Sequence, residues 1–321
     1  MHTLHFIASS VPAYDGDIMV WIVWKGKKFF VACRLSIVAR DPWPGGGLGL
    51  AAFFLLISLT RLRVVFKMCG RFGEVLKEMN MDLRGVVLAG GTGSRLMPLT
   101  KVTNKHLLAI GQKPMIYYPI SKLTSVGIEQ VLIVTGVEHM GDVVSLLGSG
   151  REFGCQFTYK VQDEAGGIAQ ALALAEDFSN GAPLAVILGD NIFEGSLKDY
   201  ADKFISQKTG ARVLLKQVAE PQRFGVAQIS DGKVINIEEK PEKPKSDYAI
   251  TGIYFYDASV FDIIRKLEPS ARGELEITDV NNAYIAKGQL AYDILDGWWT
   301  DAGTFASLNR ANELVIKEPP Q

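Results

Sequence analysis

The chain is short of cysteine, of histidine and of long apolar runs, and each shortage removes a class of function. Its three cysteines, Cys33, Cys69 and Cys155, are odd in number and form no CxxC pair. A disulfide framework and a cysteine-built zinc site are therefore not expected, and a reducing, cytoplasmic setting is. Only four histidines occur in 321 residues, and neither His106 nor His139 falls in a nucleophile–base triad. The longest apolar run, residues 48–59, is about a dozen residues long, whereas a spanning helix needs roughly 20. A membrane anchor is therefore not expected. Net charge is −1, split as +5 over residues 1–80 and −6 over the rest. The larger part thus lacks the basic excess of a nucleic-acid binder. It also lacks internal repeats and low-complexity tracts.

What is present is enough apolar material, 48% of the chain, to bury a sizeable core. The first 80 residues differ from the remainder. They hold three of the five tryptophans and two of the four histidines, and none of the motifs described below. They are expected to be an extension outside the main fold, with Met81 or Met79 as the natural start of a domain over 81–321.

From residue 84 strand and helix patterns alternate, which predicts an α/β sheet with crossover helices. Buried strands are expected at 85–88, 130–135, 156–160 and 184–188. Helices are expected at 114–127, with Pro114 in its first turn and Gly127 closing it, at 139–147 and at 167–178. Beyond 211 the pattern becomes β-rich. Ser230-Asp-Gly232 reads as a hairpin turn between 226–229 and 234–237. Strands follow at 249–256 and 290–294, with helices near 258–267 and 276–286.

The most informative stretch is Gly90-Gly-Thr-Gly-Ser-Arg95. It leaves a predicted strand on glycines that let backbone N–H groups approach an anion. Arg95 and, ten residues on, Lys105 add two cations able to clamp a polyphosphate. The Gly-Lys-Ser/Thr of an ATPase phosphate loop is missing, and so is the third glycine of a dinucleotide fingerprint.

Together with Lys105-His-Leu-Leu108, Lys113-Pro-Met-Ile-Tyr-Tyr-Pro119, Gln162-Asp-Glu-Ala-Gly-Gly-Ile-Ala-Gln170 and Leu188-Gly-Asp-Asn191, this stretch resembles the sugar-1-phosphate nucleotidyltransferases. The resemblance continues through Arg223-Phe-Gly-Val226, Glu238-Glu-Lys-Pro241, Gly273-Glu-Leu-Glu-Ile-Thr-Asp279 and Trp298-Trp-Thr-Asp-Ala-Gly303. It spans residues 82–316 and is nearest the short thymidylyl-transferring members. It implies a Rossmann-like, three-layer mixed sheet with a small β-rich sugar-binding part. The nucleotide half would run over about 82–210 and the sugar half over about 211–316. It implies transfer of a thymidylyl group from dTTP to glucose 1-phosphate, giving dTDP-glucose and pyrophosphate, with Mg2+ as cofactor. The family's tetramer contacts and feedback site belong to a longer C-terminal extension and are not expected here. Homo-oligomerisation is left open.

The resemblance also assigns roles. Arg95 and Lys105 would face the triphosphate, with Gly90, Gly91 and Gly93 beside it and Gln162 and Gly167 at the base. Lys240 would hold the sugar phosphate and Glu239 the sugar hydroxyls, with Gly225, Ile250 and Gly252 against the hexose. Asp190 and Asp301 would hold Mg2+. Taken alone, each has a plainer reading: solvated lysines and arginines, a turn aspartate, a packed glycine. Gln170 reads as helix packing or a contact behind Gln162. Two departures stand out, Ala109 where the family commonly has proline and Met97 where it often has an aromatic or histidine. Neither removes a catalytic atom. The alternatives are transfer from UTP or to another hexose phosphate, a non-catalytic regulatory subunit, and a membrane-tethered partner resting wholly on residues 48–59.

Overall fold

Continuous and alternating apolar runs along the chain become the strands of two separate units. The computed structural model describes residues 83–320 and three strands nearer the N-terminus. Those three, β1 (His5–Ile7), β2 (Ile18–Trp24) and β3 (Lys27–Cys33), form an antiparallel sheet in the order β1-β2-β3, within a unit bounded by Met1–Arg71. The apolar run at 48–59 and the start at Met81 lie outside the described residues.

The second unit opens with β4 (Arg84–Ala89), followed by a two-residue hairpin of β5 (Ala109–Ile110) and β6 (Lys113–Pro114). Next come α1 (Tyr117–Ser125), β7 (Gln130–Gly136), α2 (Met140–Leu147) and β8 (Gln156–Gln162). Two short helices, α3 (Ile168–Ala173) and α4 (Glu176–Ser179), lead into β9 (Leu184–Leu188) and β10 (Asn191–Phe193). After α5 (Lys198–Gln207) the chain forms β11 (Ala211–Gln217), β12 (Gly225–Ser230), β13 (Lys233–Glu239) and β14 (Tyr248–Tyr256). It ends through α6 (Val260–Ile264), α7 (Ile277–Ala286), β15 (Leu290–Ile294), β16 (Trp299–Asp301) and α8 (Phe305–Lys317).

Nine strands make one mixed sheet with the path β13-β12-β14-β9-β4-β7-β8, and β11 joins β14 to β15. Strands β9, β4, β7 and β8 are parallel, while β14 runs antiparallel to β9. The β14–β9 pairing carries the sheet across residue 210, so both halves of the unit share one framework. Side chains alternate across a strand, and β4 shows the result. Val86 and Leu88 face a core with Leu172, Phe261 and Tyr284, so α3, α6 and α7 cover that side. Val87 and Ala89 face Ile120, Val143 and Phe204 on α1, α2 and α5. With both faces covered, the inner strands need apolar residues at every position, which is why they read as continuous runs.

Three local expectations are corrected. Pro114 is not in a helix: it pairs with Ala109 in the β5–β6 hairpin, and α1 begins at Tyr117 with Pro119 in its first turn. There proline's missing N–H would have had no intrahelical partner anyway. The helix expected over 167–178 is two pieces, α3 and α4, and Gly167 stands outside it at φ 99°. The helix near 258–267 is only the five residues of α6. Gly127 does follow the end of α1, at φ 86°, with its N–H on Thr124 O and that of Ile128 on Leu123 O, the paired bonds of a Schellman stop.

Among the described residues, no helix is long and apolar enough to cross a membrane.

Candidate active site

Parallel strands end on a common edge, and here the edge of β4, β8 and β9 forms the floor of a cleft of about 320 Å³. Strand β4 has β7 on one side and β9 on the other, the kind of reversal point where open α/β sheets leave a crevice for ligands. The glycine turn leaves β4, Gln162 ends β8, and Asp190 follows β9. The opposite wall comes from the start of β12, the end of β13 and the middle of β14. Gly90, Gly91, Arg95, Lys105, Gln162, Gly167 and Asp190 line the cleft, as do Gly225, Glu239, Lys240, Ile250, Gly252 and Asp301. Gly93 does not; a Cβ there would meet Thr100 instead.

Asp190, in the turn just before β10, and Asp301, at the end of β16, are brought together by β10 pairing with β16, where Asn191 is the register partner of Asp301. Both carboxylates converge on the backbone of Gly303. A Cβ there would lie 3.5 Å from Asp301 Oδ2, 3.6 Å from Asp190 Oδ2 and 3.0 Å from Arg95 Nη2, so glycine lets all three close in. Asp190 Oδ2 is 2.6 Å from Lys105 Nζ, and its Oδ1 accepts from Asn191 Nδ2 at 3.0 Å. Burial alone would raise the Asp190 carboxyl, but the Lys105 ammonium and these hydrogen bonds hold it well below the usual carboxylate range. Asp301 behaves oppositely. Burial and then the charge of Asp190 raise it to about 6, against the pull of Arg223 and Arg95. Arg223 Nη2 is 3.4 Å from both Asp301 oxygens.

Two hard oxygen donors whose mutual repulsion is only partly relieved suit a small divalent cation, which takes few carboxylates and fills its remaining sites with water and phosphate. Asp190 and Asp301 are the residues that fit it. Among the described residues no three His, Cys, Asp or Glu side chains gather as a ready-made metal cluster, here or elsewhere, so this pair would need phosphate and water to complete a cation's shell.

Burial of Asp301, and after it the repulsion from Asp190, has a measurable cost in the free protein. The folded Asp301 pKa lies above its unfolded value near 3.8, so the folded state binds more protons between about pH 4 and pH 6. Ionised Asp301 therefore destabilises the fold fully above about pH 6 and not below about pH 4, by roughly 2–3 kcal/mol at 1.36 kcal/mol per unit. Asp301→Asn should melt several degrees higher than the parent at pH 7.5 without metal. The gain should vanish near pH 4; a gain of equal size at both pH values would contradict this origin.

Lys105 sits in a tight turn whose cap, Asn104, is buried. Asn104 Oδ1 accepts from His106 N at 2.9 Å and lies 2.7 Å from His106 Nδ1. Its Nδ2 donates to Ala89 O at 3.3 Å, at the foot of the glycine turn, and to Thr135 Oγ1 at 3.4 Å. One side chain thus fixes Lys105 relative to β4 and β7. Burial, with Lys105 beside it, pushes His106 down to about 3. The ring is neutral at pH 7, with Nδ1 facing the Asn104 oxygen.

On the far wall Gly225 pairs with Glu239 across β12 and β13. Glu239 Oε2 accepts from Thr278 Oγ1 at 2.6 Å, while its Oε1 is 3.4 Å from Lys240 Nζ and 3.7 Å from Arg272 Nη2. Lys240 has φ 41° and its side chain remains about half exposed. Gly252 N donates to Asn191 Oδ1 at 2.9 Å, which also accepts from Trp299 Nε1 at 2.8 Å. Gln162 Nε2 donates to Gln170 Oε1 at 2.7 Å and to Gly167 O at 3.2 Å. Gln170 is therefore a neighbour that orients Gln162.

Arg223, Arg272 and Asn191 received no role from the sequence, although Arg223 and Asn191 lay inside recognised motifs and Arg272 immediately precedes one. Arg223 and Asp301 are 78 positions apart, and nothing local marks them as partners. Arg272 lines the cleft while pairing with Glu274 and Glu276.

A glycine turn, two convergent carboxylates and cations on both walls meet in one cleft, and known proteins share the framework. The sequence model of the nucleotidyl transferase family matches residues 84–318. A glucose-1-phosphate thymidylyltransferase of Neisseria meningitidis is 44% identical over 237 residues, covering 73% of this chain and 82% of its own. One from Xanthomonas campestris is 45% identical over 236 residues, covering 72% and 80%. A Bacillus anthracis crystal structure holding a sucrose, provisionally assigned as a glucose-1-phosphate thymidylyltransferase, is 61% identical with a TM-score of 0.70 and covers 72% and 94%. A UDP-glucose pyrophosphorylase complexed with UDP-glucose aligns at TM-score 0.66 and 25% identity, covering 73% and 98%. With the family's sequence pattern and its framework both running through the residues that build the cleft, the chain belongs to the nucleotidyl transferase family.

Proposed function

We propose that this protein transfers a thymidylyl group from dTTP to glucose 1-phosphate, releasing pyrophosphate and forming dTDP-glucose. The observation that carries the reading is the convergence of Asp190, Asp301 and Arg95 at Gly303, with Lys105 on one side and Lys240 lining the same cleft from the opposite wall. The thymidylyltransferases of N. meningitidis and X. campestris support the choice of substrates.

A sugar phosphate needs no general base, because its second pKa near ~6 leaves it largely a dianion at neutral pH. The obstacle is bringing one anion against another in line with the leaving group. Arg95 and Lys105 face the triphosphate and neutralise charge passing to pyrophosphate; Lys240 holds the incoming phosphate on the β13 side. Glu239, fixed by Thr278, offers an oxygen to a sugar hydroxyl, and Ile250 and Gly252 bound the hexose. Gln162, oriented by Gln170, meets the base edge. Mg2+ on Asp190 and Asp301 would withdraw charge from the α-phosphate and the attacking phosphate oxygen.

Lys240→Ala should raise the KM for glucose 1-phosphate at least tenfold while moving the KM for dTTP less than threefold. Equal shifts in steady-state kinetics would refute this division between the walls. The uridylyl reading is favoured by the UDP-glucose pyrophosphorylase likeness. Thymine and uracil differ by one methyl, worth about 10–200-fold in discrimination. Comparing kcat/KM for dTTP and UTP decides it: a preference for dTTP supports the proposal, and a preference for UTP replaces it with the uridylyl reaction.

A further inference from the structure

Lys122 on α1 is 2% exposed and does not line the cleft, an unusual depth for a lysine. Its Nζ donates to Glu194 O at 2.7 Å and Gly195 O at 2.6 Å, and lies 4.8 Å from the centre of the Phe193 ring. Burial lowers its ammonium to about 8, so the fold keeps this charge at a cost. The carbonyls it grips close the β10–β16 ribbon. Glu194 N donates to Trp298 O at 3.0 Å, and Trp298 N donates to Glu194 Oε2 at 3.0 Å. The ribbon then runs through Phe193–Trp299 and Ile192–Thr300 to Asn191–Asp301. Asp301 stands at its open end, and Asp190 immediately precedes Asn191.

We propose that Lys122 is a positioning residue that sets the spacing of the Asp190 and Asp301 carboxylates by clamping the closed end of the β10–β16 ribbon. The inference rests on the reading of these two aspartates as the metal-binding pair. A ribbon of three residue pairs has little stability of its own, so its geometry follows from what grips it. Over roughly 10 Å, at about 3.3 Å per residue, a change at Glu194–Trp298 passes to the carboxylates through backbone pairing. The Asn191 bonds to Trp299 and Gly252 brace the same path.

The test is Mn2+ affinity of the ligand-free full chain, read by electron paramagnetic resonance, beside dTTP affinity measured without metal. Lys122→Met should weaken Mn2+ binding about 10-fold or more, the range seen when supports behind metal ligands are removed, with dTTP affinity changed less than twofold. Lys122→Gln, whose amide can still donate to a carbonyl, should recover part of the loss. Glu194→Ala removes the acceptor of Trp298 N from the outer side, so it tests the clamp even if Lys122→Met fails to fold. It should act in the same direction, and in a folded double variant the two losses should not add. Unchanged Mn2+ affinity in Glu194→Ala or in folded Lys122→Met, or fully additive losses, would overturn the inference. Asp190→Asn separates the two levels. If it keeps Mn2+, the carboxylate reading itself fails; if it loses Mn2+ while folded Lys122→Met does not, only the clamp fails.

Discussion

Asp190→Asn leaves a folded protein whose turnover drops by at least about 10³-fold, because charge stabilisation at the transferring phosphate is the largest part of this chemistry. The amide keeps the side chain's size and can still accept from Asn191 Nδ2, now at 3.0 Å. It cannot supply the anion that Lys105 Nζ meets at 2.6 Å, nor a charged ligand for a divalent cation. The ion pair is also the native resting place of Lys105, so its loss disturbs the triphosphate side as well. Circular dichroism and kcat at saturating Mg2+ check both halves. Near-parental turnover with unchanged secondary structure would remove Asp190 from the metal site.

Arg95→Ala should lower kcat by roughly 10²–10³, as expected when one transition-state charge donor is removed. Its guanidinium reaches within 3.0 Å of the Cβ position at Gly303, beside both carboxylates, so under the proposed function it would face the charge that accumulates on departing pyrophosphate. The KM for glucose 1-phosphate should change much less than kcat, the reverse of the Lys240→Ala profile. Single-turnover rates with both variants provide the comparison. Identical profiles would mean that the two walls do not divide the substrates.

How far the chain could be read before its fold depended on whether the signal was local. Residues 85–88, 130–135 and 184–188 announced themselves because strands buried on both faces carry few polar residues between their ends. Gly90 to Arg95 was readable because an anion-binding turn needs those residue types in succession. Asp301 carried a motif, and it closes β16. Pro114 misled because proline suits both a helix start and a short edge strand, and the deciding contact, Ala109, lies across a turn. The strand β11 passed unassigned: its Arg212 and Lys216 break the apolar run, and their acceptors, Asp293 and the carbonyl of Leu295, lie some 80 positions away. Lys122 gave no signal either, since a lysine on a helix ordinarily points to solvent. Such partners are set by sheet order, which no short window contains.

Nucleotidyl transfer can be followed atom by atom with phosphorus NMR on a mixture of the protein, Mg2+, dTTP and glucose 1-phosphate. One pyrophosphate and one dTDP-glucose should appear for each dTTP consumed, with neither formed when glucose 1-phosphate or Mg2+ is left out. Release of inorganic phosphate with dTDP, or consumption of dTTP that does not require the sugar phosphate, would contradict it.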